Sequence, residues 1–376
     1  MSTTTSPTAS SLSPTALPWF PEARCASSCC SPHADAKPST STPSPPPPPP
    51  PGLSPGEQQR RRRGDDAKDR QGNDIVWPTK LWELDNPHID SSIWNVWKFR
   101  RGDIIIDTYI KTGTTLMQQI VGQLLFNGAD DVNVSEISPW LDFAFYPREA
   151  MLRDMESQKH RRFVKTHLPL EALVISPMAR YIYVIRDARD VVWSYHNHYK
   201  NIKPELLEVM NANTVTDGLT PDGKPSEDVR QFFLEWLHTD GYPLWPFFSH
   251  VRGWWEHRHL PNVLLVHFNN LKTDLKAEVQ RVADFLDIDV EEGAWPYILE
   301  HCSLDWMRKH GDLVVPDGGT PWVGGSDTFL FKGTNGRWRD VLTPADIEEY
   351  EERVVAELGE ECATWLATGV LPVELS

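Results

Sequence analysis

The 376-residue chain carries 53 acidic against 37 basic side chains, a net charge of −16 and a pI of about 5.2, a balance that argues against a nucleic-acid binder. No run approaches about 18 consecutive apolar residues, so no membrane-spanning helix is expected. Five cysteines, three of them (Cys25, Cys29 and Cys30) near the N-terminus, form no disulfide framework, and a reducing compartment is the default.

Residues 1–55 hold 15 of the 32 prolines, including seven in a row from Pro45 to Pro51, with Ser and Thr filling most of the rest. Such a segment buries too little apolar surface to offset its chain entropy. The Gln- and Arg-rich piece from Glu57 to Gln71 continues it as a linker, and the Arg60–Arg63 run reads as solvated charge. Residues 1–72 are therefore expected to be disordered, and 73–376 to form one domain. The tail is Ser/Thr-rich and poor in acids, which leaves a plastid transit peptide open beside a cytoplasmic location.

The first strong element follows Asp103. The run Ile104-Ile-Ile106 predicts a buried strand, which breaks at Lys111-Thr-Gly-Thr-Thr115. Leu116, Met117, Ile120, Val121, Leu124 and Leu125 then recur at helical spacing. A strand, a small-residue loop and a helix start make an anion cradle, since glycine permits close backbone approach and first-turn amides point outward unpaired. Lys111 adds a full charge, and Thr114 and Thr115 add hydroxyls. The Walker A order, with glycine directly before Lys and Ser/Thr, is absent because Lys111 precedes Gly113.

Three further apolar runs read as strands: Arg162–His167, Tyr181–Ile185 and Val263–Phe268. The second opens into a helix with Asp187 as N-cap, and the third is followed by a helix over about 273–286. Unbroken apolar strands alternating with amphipathic helices predict an α/β domain, a P-loop-like parallel sheet with helices on both faces. Ligands bind at the carboxyl ends of such strands, where Lys111, His167 and Arg186 all fall. His196 and His198 do not share a helix face, and His257 and His259 have no ligand set around them, so no metal site is expected.

Four segments resemble the cytosolic-type sulfotransferases, in the family's order and over about residues 75–365. Tyr109-Ile-Lys-Thr-Gly-Thr-Thr115 is similar to the family's 5′-phosphosulfate loop, and Val164-Lys-Thr-His-Leu-Pro169 to its catalytic-histidine stretch. Tyr183-Val-Ile-Arg186, with Ser194 eight residues on, resembles the 3′-phosphate-binding strand and helix, and Phe331-Lys-Gly-Thr-Asn-Gly-Arg-Trp338 the C-terminal segment.

The resemblance implies transfer of a sulfuryl group from 3′-phosphoadenosine 5′-phosphosulfate (PAPS), without a metal, to a small hydroxylated acceptor, a lipophilic alcohol or phenol. His167 would be the general base, with Lys111 and Lys165 sharing the charge stabilisation. Lys111, Thr112, Gly113, Thr114, Thr115 and Leu116 would line the 5′ side, and Arg186, Ser194, Phe331, Lys332 and Gly333 the 3′ side. The alternatives are a P-loop nucleotide kinase and a non-catalytic nucleotide-binding member of the fold.

Several positions depart from the family, which points to a divergent, bacterial-like branch. Leu116 and Leu304 stand where adenine-contacting rings are usual, which puts the adenine contact on aliphatic groups or on a displaced ring such as Trp306. Phe331 replaces an arginine, and Phe268 a tyrosine. The dimer motif of animal members is missing, so that mode of association is not expected. Aromatic residues at 135–160, and Trp245, Phe247, Phe248, Trp254 and Trp255, are candidates for an acceptor pocket, with the insertion at 211–226 as a capping loop.

Overall fold

The computed structural model describes residues 68–86, 88–211, 225–241 and 245–371. The Pro-rich tail and most of the insertion at 211–226 lie outside the described residues. The predicted apolar runs form one parallel sheet of β1 (Ile104–Thr108), β2 (Phe163–Thr166), β3 (Arg180–Ile185) and β4 (Val263–His267), in the order β2-β1-β3-β4. Asp107 of β1 lies opposite Thr166 of β2 and Tyr183 of β3.

The side-chain period of two divides the strands between two cores. Ile104, Ile106, Ile182, Val184, Leu264 and Val266 face one, where α1 (Thr114–Leu125), α5 (Leu275–Phe285) and α6 (Trp295–His301) supply Ile120, Val279 and Ile298. Ile105, Val164, Tyr181, Ile185 and Leu265 face the other. That side is covered by α2 (Ala188–Lys200), α3 (Val229–His238), α4 (Phe247–Glu256) and α7 (Pro344–Thr368), which kinks at Gly359 (φ 75°, ψ 164°). Both faces of the sheet are dry, and this is why its strands read as continuous apolar runs.

The predicted cap at Asp187 is present, and a second, at Asp274, was not predicted. Asp187 accepts from the Arg189 amide at the start of α2, and Asp274 from the Ala277 amide at the start of α5. Chain structure begins upstream of the expected boundary at 73: the Arg70 amide donates to His259 O at 3.0 Å, and its guanidinium to Val263 O at 2.7 Å. Residues 68–72 are thus tied to the entry of β4.

β1 and β3 are neighbours, and the helices that follow them, α1 and α2, lie on opposite faces of the sheet. The crevice this opens at their carboxyl ends is where a ligand enters such a sheet.

Candidate active site

The turn after β1 is shaped by its backbone. Lys111 has φ 66° and Gly113 φ 121°, so consecutive amides curl toward one point before α1 begins. A Cβ on Gly113 would lie 2.7 Å from Phe268 Cδ2, so only glycine fits between the loop and that ring. Gly113 caps α1 without a side chain, which leaves the first-turn amides of Thr114, Thr115 and Leu116 without intrahelical acceptors. Thr112 fixes the turn: its buried hydroxyl lies 2.7 Å from both Tyr109 O and Val184 O, which commits it to the scaffold and leaves its main chain for a ligand.

His167 follows β2 and is buried. Its Nδ1 lies 2.9 Å from Thr108 O and 2.9 Å from Thr108 Oγ1, and Thr108 Oγ1 is 2.7 Å from Thr114 Oγ1. A carbonyl oxygen only accepts, so Nδ1 carries the proton and Nε2 keeps its lone pair. The Trp140 ring stands edge-on to the imidazole, centroids 4.8 Å apart, and Phe143 stacks on Trp140 at 4.8 Å.

Around His167 the charges are of one sign. Burial, then Lys165, hold His167 down to about 3. Loss of solvent, then Lys165 and Arg186, bring Lys111 down to about 7. Lys165 is brought down to about 8 by loss of solvent, with Asp317 pulling the other way. Partly buried cations left in mutual repulsion form a site that awaits an anion. Lys111 Nζ also lies 3.1 Å from His198 Nδ1 and 4.3 Å from the centroid of the Phe329 ring.

Arg186 leaves β3 on the other side of the crevice, buried, with its guanidinium 4.6 Å from the Phe268 ring centroid. Its Nε donates to Asn335 Oδ1 at 2.9 Å and its Nη2 to Thr334 O at 2.8 Å. Asp190 Oδ1 accepts from the Gly336 amide at 2.8 Å. These bonds dock the 331–336 segment on the end of β3, bringing half-buried Phe331, exposed Lys332 and Gly333 to the same edge as half-buried Ser194. Gly333 (φ 60°) packs beside Leu304, whose Cδ2 would stand 3.2 Å from an added Cβ.

Two sequence expectations are corrected. Trp306 does not offer a displaced ring for adenine, because it is packed between His301 and His310 with centroids 4.5 and 3.9 Å away. Phe247, Phe248 and Trp254 are wholly buried, and Trp255 stacks on Trp365 at 5.2 Å, so these four belong to the core rather than to a pocket wall. The rings that touch the basic cluster are Trp140, Phe329 and Trp322, the last 5.0 Å from His198. Phe329, Trp322 and His198 were not assigned from sequence. For His198 a signal existed, since it is four residues after Ser194 and on the same face of α2.

Together these features define an α/β domain with a glycine-shaped loop of free amides and buried cations at the switch point of a parallel sheet, and a neutral histidine beside it. The chain belongs to the sulfotransferase domain family, whose sequence profile matches residues 101–361. It is 28% identical over 305 residues to a glycolipid sulfotransferase of Mycobacterium bovis (strain BCG / Pasteur 1173P2), covering 74% of this chain and 92% of that one. It is also 28% identical over 270 residues to sulfotransferase 1 family member D1 of Rattus norvegicus, covering 69% and 85%. A crystal structure of retinol dehydratase with androsterone and the inactive cofactor PAP superposes with a TM-score of 0.56 at 23% identity, over 72% of this chain and 84% of that one.

Proposed function

We propose that this chain transfers a sulfuryl group from PAPS to a hydroxyl of a small lipophilic alcohol or phenol, with His167 as general base. The observation that carries the reading is the pairing of two anion sites across one crevice: the Lys111–Leu116 cradle at the end of β1 and Arg186 at the end of β3, joined by Phe268 between them. A donor with phosphates at both its 5′ and 3′ positions suits that pair. The bound donor supplies the transferable sulfuryl group and a phosphate leaving group.

Each residue's part follows from its chemistry. His167 Nε2 takes the acceptor's hydroxyl proton as that oxygen bonds to sulfur and the sulfur–phosphate oxygen bond breaks. Lys111 and the first-turn amides of α1 face the oxygen that gains negative charge, the position where electrostatic stabilisation counts most. Lys165, on β2 two residues before His167, adds to that field. Arg186, Ser194, Lys332 and Gly333 hold the 3′-phosphate, with the Phe331 segment locked down by Thr334 and Asn335. Leu116 and Leu304 give adenine an aliphatic seat.

The acceptor class is supported by the aromatic rings of Trp140, Phe143, Trp322 and Phe329 beside the cluster. It is supported too by the relatives, of which one is named for glycolipids and another holds androsterone. Buried unpaired Cys302 and Cys362 suit a reducing compartment such as the cytoplasm.

The test is thermal. Adenosine 3′,5′-bisphosphate should raise the melting temperature of the full chain by several degrees at saturating concentration, and adenosine 5′-monophosphate by much less. Equal effects of the two nucleotides, or none, would refute the two-site assignment.

A further inference from the structure

We propose that His198 is a positioning residue for Lys111, holding its amine as an ammonium at the mouth of the cradle until an anion replaces the imidazole. The inference rests on the reading above only in giving Lys111 a charge to deliver. The contact itself is geometric.

Lys111 Nζ and His198 Nδ1 are 3.1 Å apart. An ammonium has donors and no lone pair, so the imidazole nitrogen must be the acceptor and His198 must be neutral. Its ring is held against Trp322 at 5.0 Å and Phe329 at 5.7 Å, and Phe329 also lies under the Lys111 ammonium at 4.3 Å. One aromatic face thus backs both members of the pair. The backbone on the lysine side is equally fixed, by the left-handed φ of Lys111 and by the committed Thr112 hydroxyl.

The surroundings oppose a charge at Lys111. Loss of solvent acts first, then Lys165 at the end of β2 and Arg186 at the end of β3, with the neutral His167 beside Lys165. Asp317 acts on the cluster through Lys165, while the 322–329 segment contributes Trp322 and Phe329. Against that repulsion, a neutral acceptor on the ammonium favours the protonated form. His198 itself is held well below the usual histidine range by loss of solvent and then by Lys111, so it accepts without competing for the proton. Below its midpoint near 7, a charged Lys111 ready at the cradle would attract the donor and be in place when the leaving oxygen needs it.

The experiment uses full-length protein with nitrogen-15-labelled lysine and follows side-chain titration by NMR, with Lys111 identified by its absence in Lys111→Arg. His198→Leu removes the acceptor, and His198→Asn restores an amide oxygen near the Nδ1 position at similar volume. The Lys111 midpoint should fall by about one pH unit in His198→Leu and return most of the way in His198→Asn. An unmoved midpoint in His198→Leu, or equal shifts in both variants, would overturn the proposal.

A wild-type measurement stands beside it should a variant not fold. The His198 Nδ1 resonance should shift when adenosine 3′,5′-bisphosphate is added and draws Lys111 away, and a resonance unchanged by bound nucleotide would refute the exchange. Failure of the nucleotide to bind would count against the donor assignment alone, since the titration is read without it.

Discussion

His167 Nδ1 and the main-chain oxygen of Thr108 are 2.9 Å apart, and this contact leaves Nε2 as the lone-pair nitrogen of a buried imidazole. The acceptor at Nδ1 fixes the proton there, so Nε2 is bare at every pH at which the ring is neutral. Thr108 Oγ1 ties the same histidine to Thr114 at the start of the cradle, coupling the base to the anion site. Thr108→Val keeps the carbonyl and removes the hydroxyl. It should lower kcat about tenfold, the worth of one buried hydrogen bond, with a smaller change in KM for the acceptor. Steady-state kinetics check this.

Donor binding should take up protons. Lys111 titrates near 7 because it loses solvent and faces Lys165 and Arg186, and Lys165 near 8 because it loses solvent, against the pull of Asp317. A bound polyanion reverses that penalty and raises both, so at pH 8 the complex binds more protons than the vacant protein. Calorimetry of adenosine 3′,5′-bisphosphate in buffers of different ionisation enthalpy should show net uptake of up to about one proton. Affinity should weaken as pH rises through this range, and Lys111→Met should reduce the uptake.

Arg186 is expected to discriminate between nucleotides. Its guanidinium organises Thr334 and Asn335 and faces the place assigned to the 3′-phosphate. Arg186→Gln should weaken binding of adenosine 3′,5′-bisphosphate by roughly 10- to 100-fold, from one lost charge-assisted contact. Binding of adenosine 5′-monophosphate should change far less. Titration calorimetry with both ligands measures the difference.

Asp107 presents a stability test. It is fully buried in β1 with no well-aligned hydrogen bond to either oxygen: the Thr108 amide and the Trp254 indole lie beside it, and His250 Nε2 is 3.6 Å from Oδ1. Burial, then Asp142, push its carboxyl well above the usual range. With a folded value raised above about 3.9, wild-type stability is greatest below that pH and declines as pH rises toward the folded value. Asp107→Val, similar in size and suited to a strand, should stabilise the fold by about 1–2 kcal/mol at pH 7 and by less at pH 4. Urea unfolding at the two pH values reads this directly.

The charged core of the site was legible because it sits where strands end. Lys111, His167 and Arg186 each terminate an apolar run, and a parallel sheet brings such termini to one edge. The contacts between them were not legible. Nothing in local spacing says that Arg186 grips Thr334 and Asn335, a contact spanning about 150 residues of chain. The aromatics of α4 misled because the buried face of an amphipathic helix packed on a sheet is lined with large rings, and sequence does not separate that from a pocket wall. The 311–330 segment, which supplies Trp322 and Phe329, is made of short turns and carries no long period to read.

The central claim is that His167 removes the proton that allows sulfuryl transfer from PAPS. Its most direct test is product formation from PAPS and a simple phenol, followed by mass spectrometry for wild type and His167→Ala. Wild type should turn over, and the variant should lose about 1,000-fold or more in kcat, in line with removal of a general base. It should bind adenosine 3′,5′-bisphosphate within about twofold of wild type, since the base lies beside the anion sites and not in them. A His167→Ala protein that keeps wild-type turnover would contradict the account.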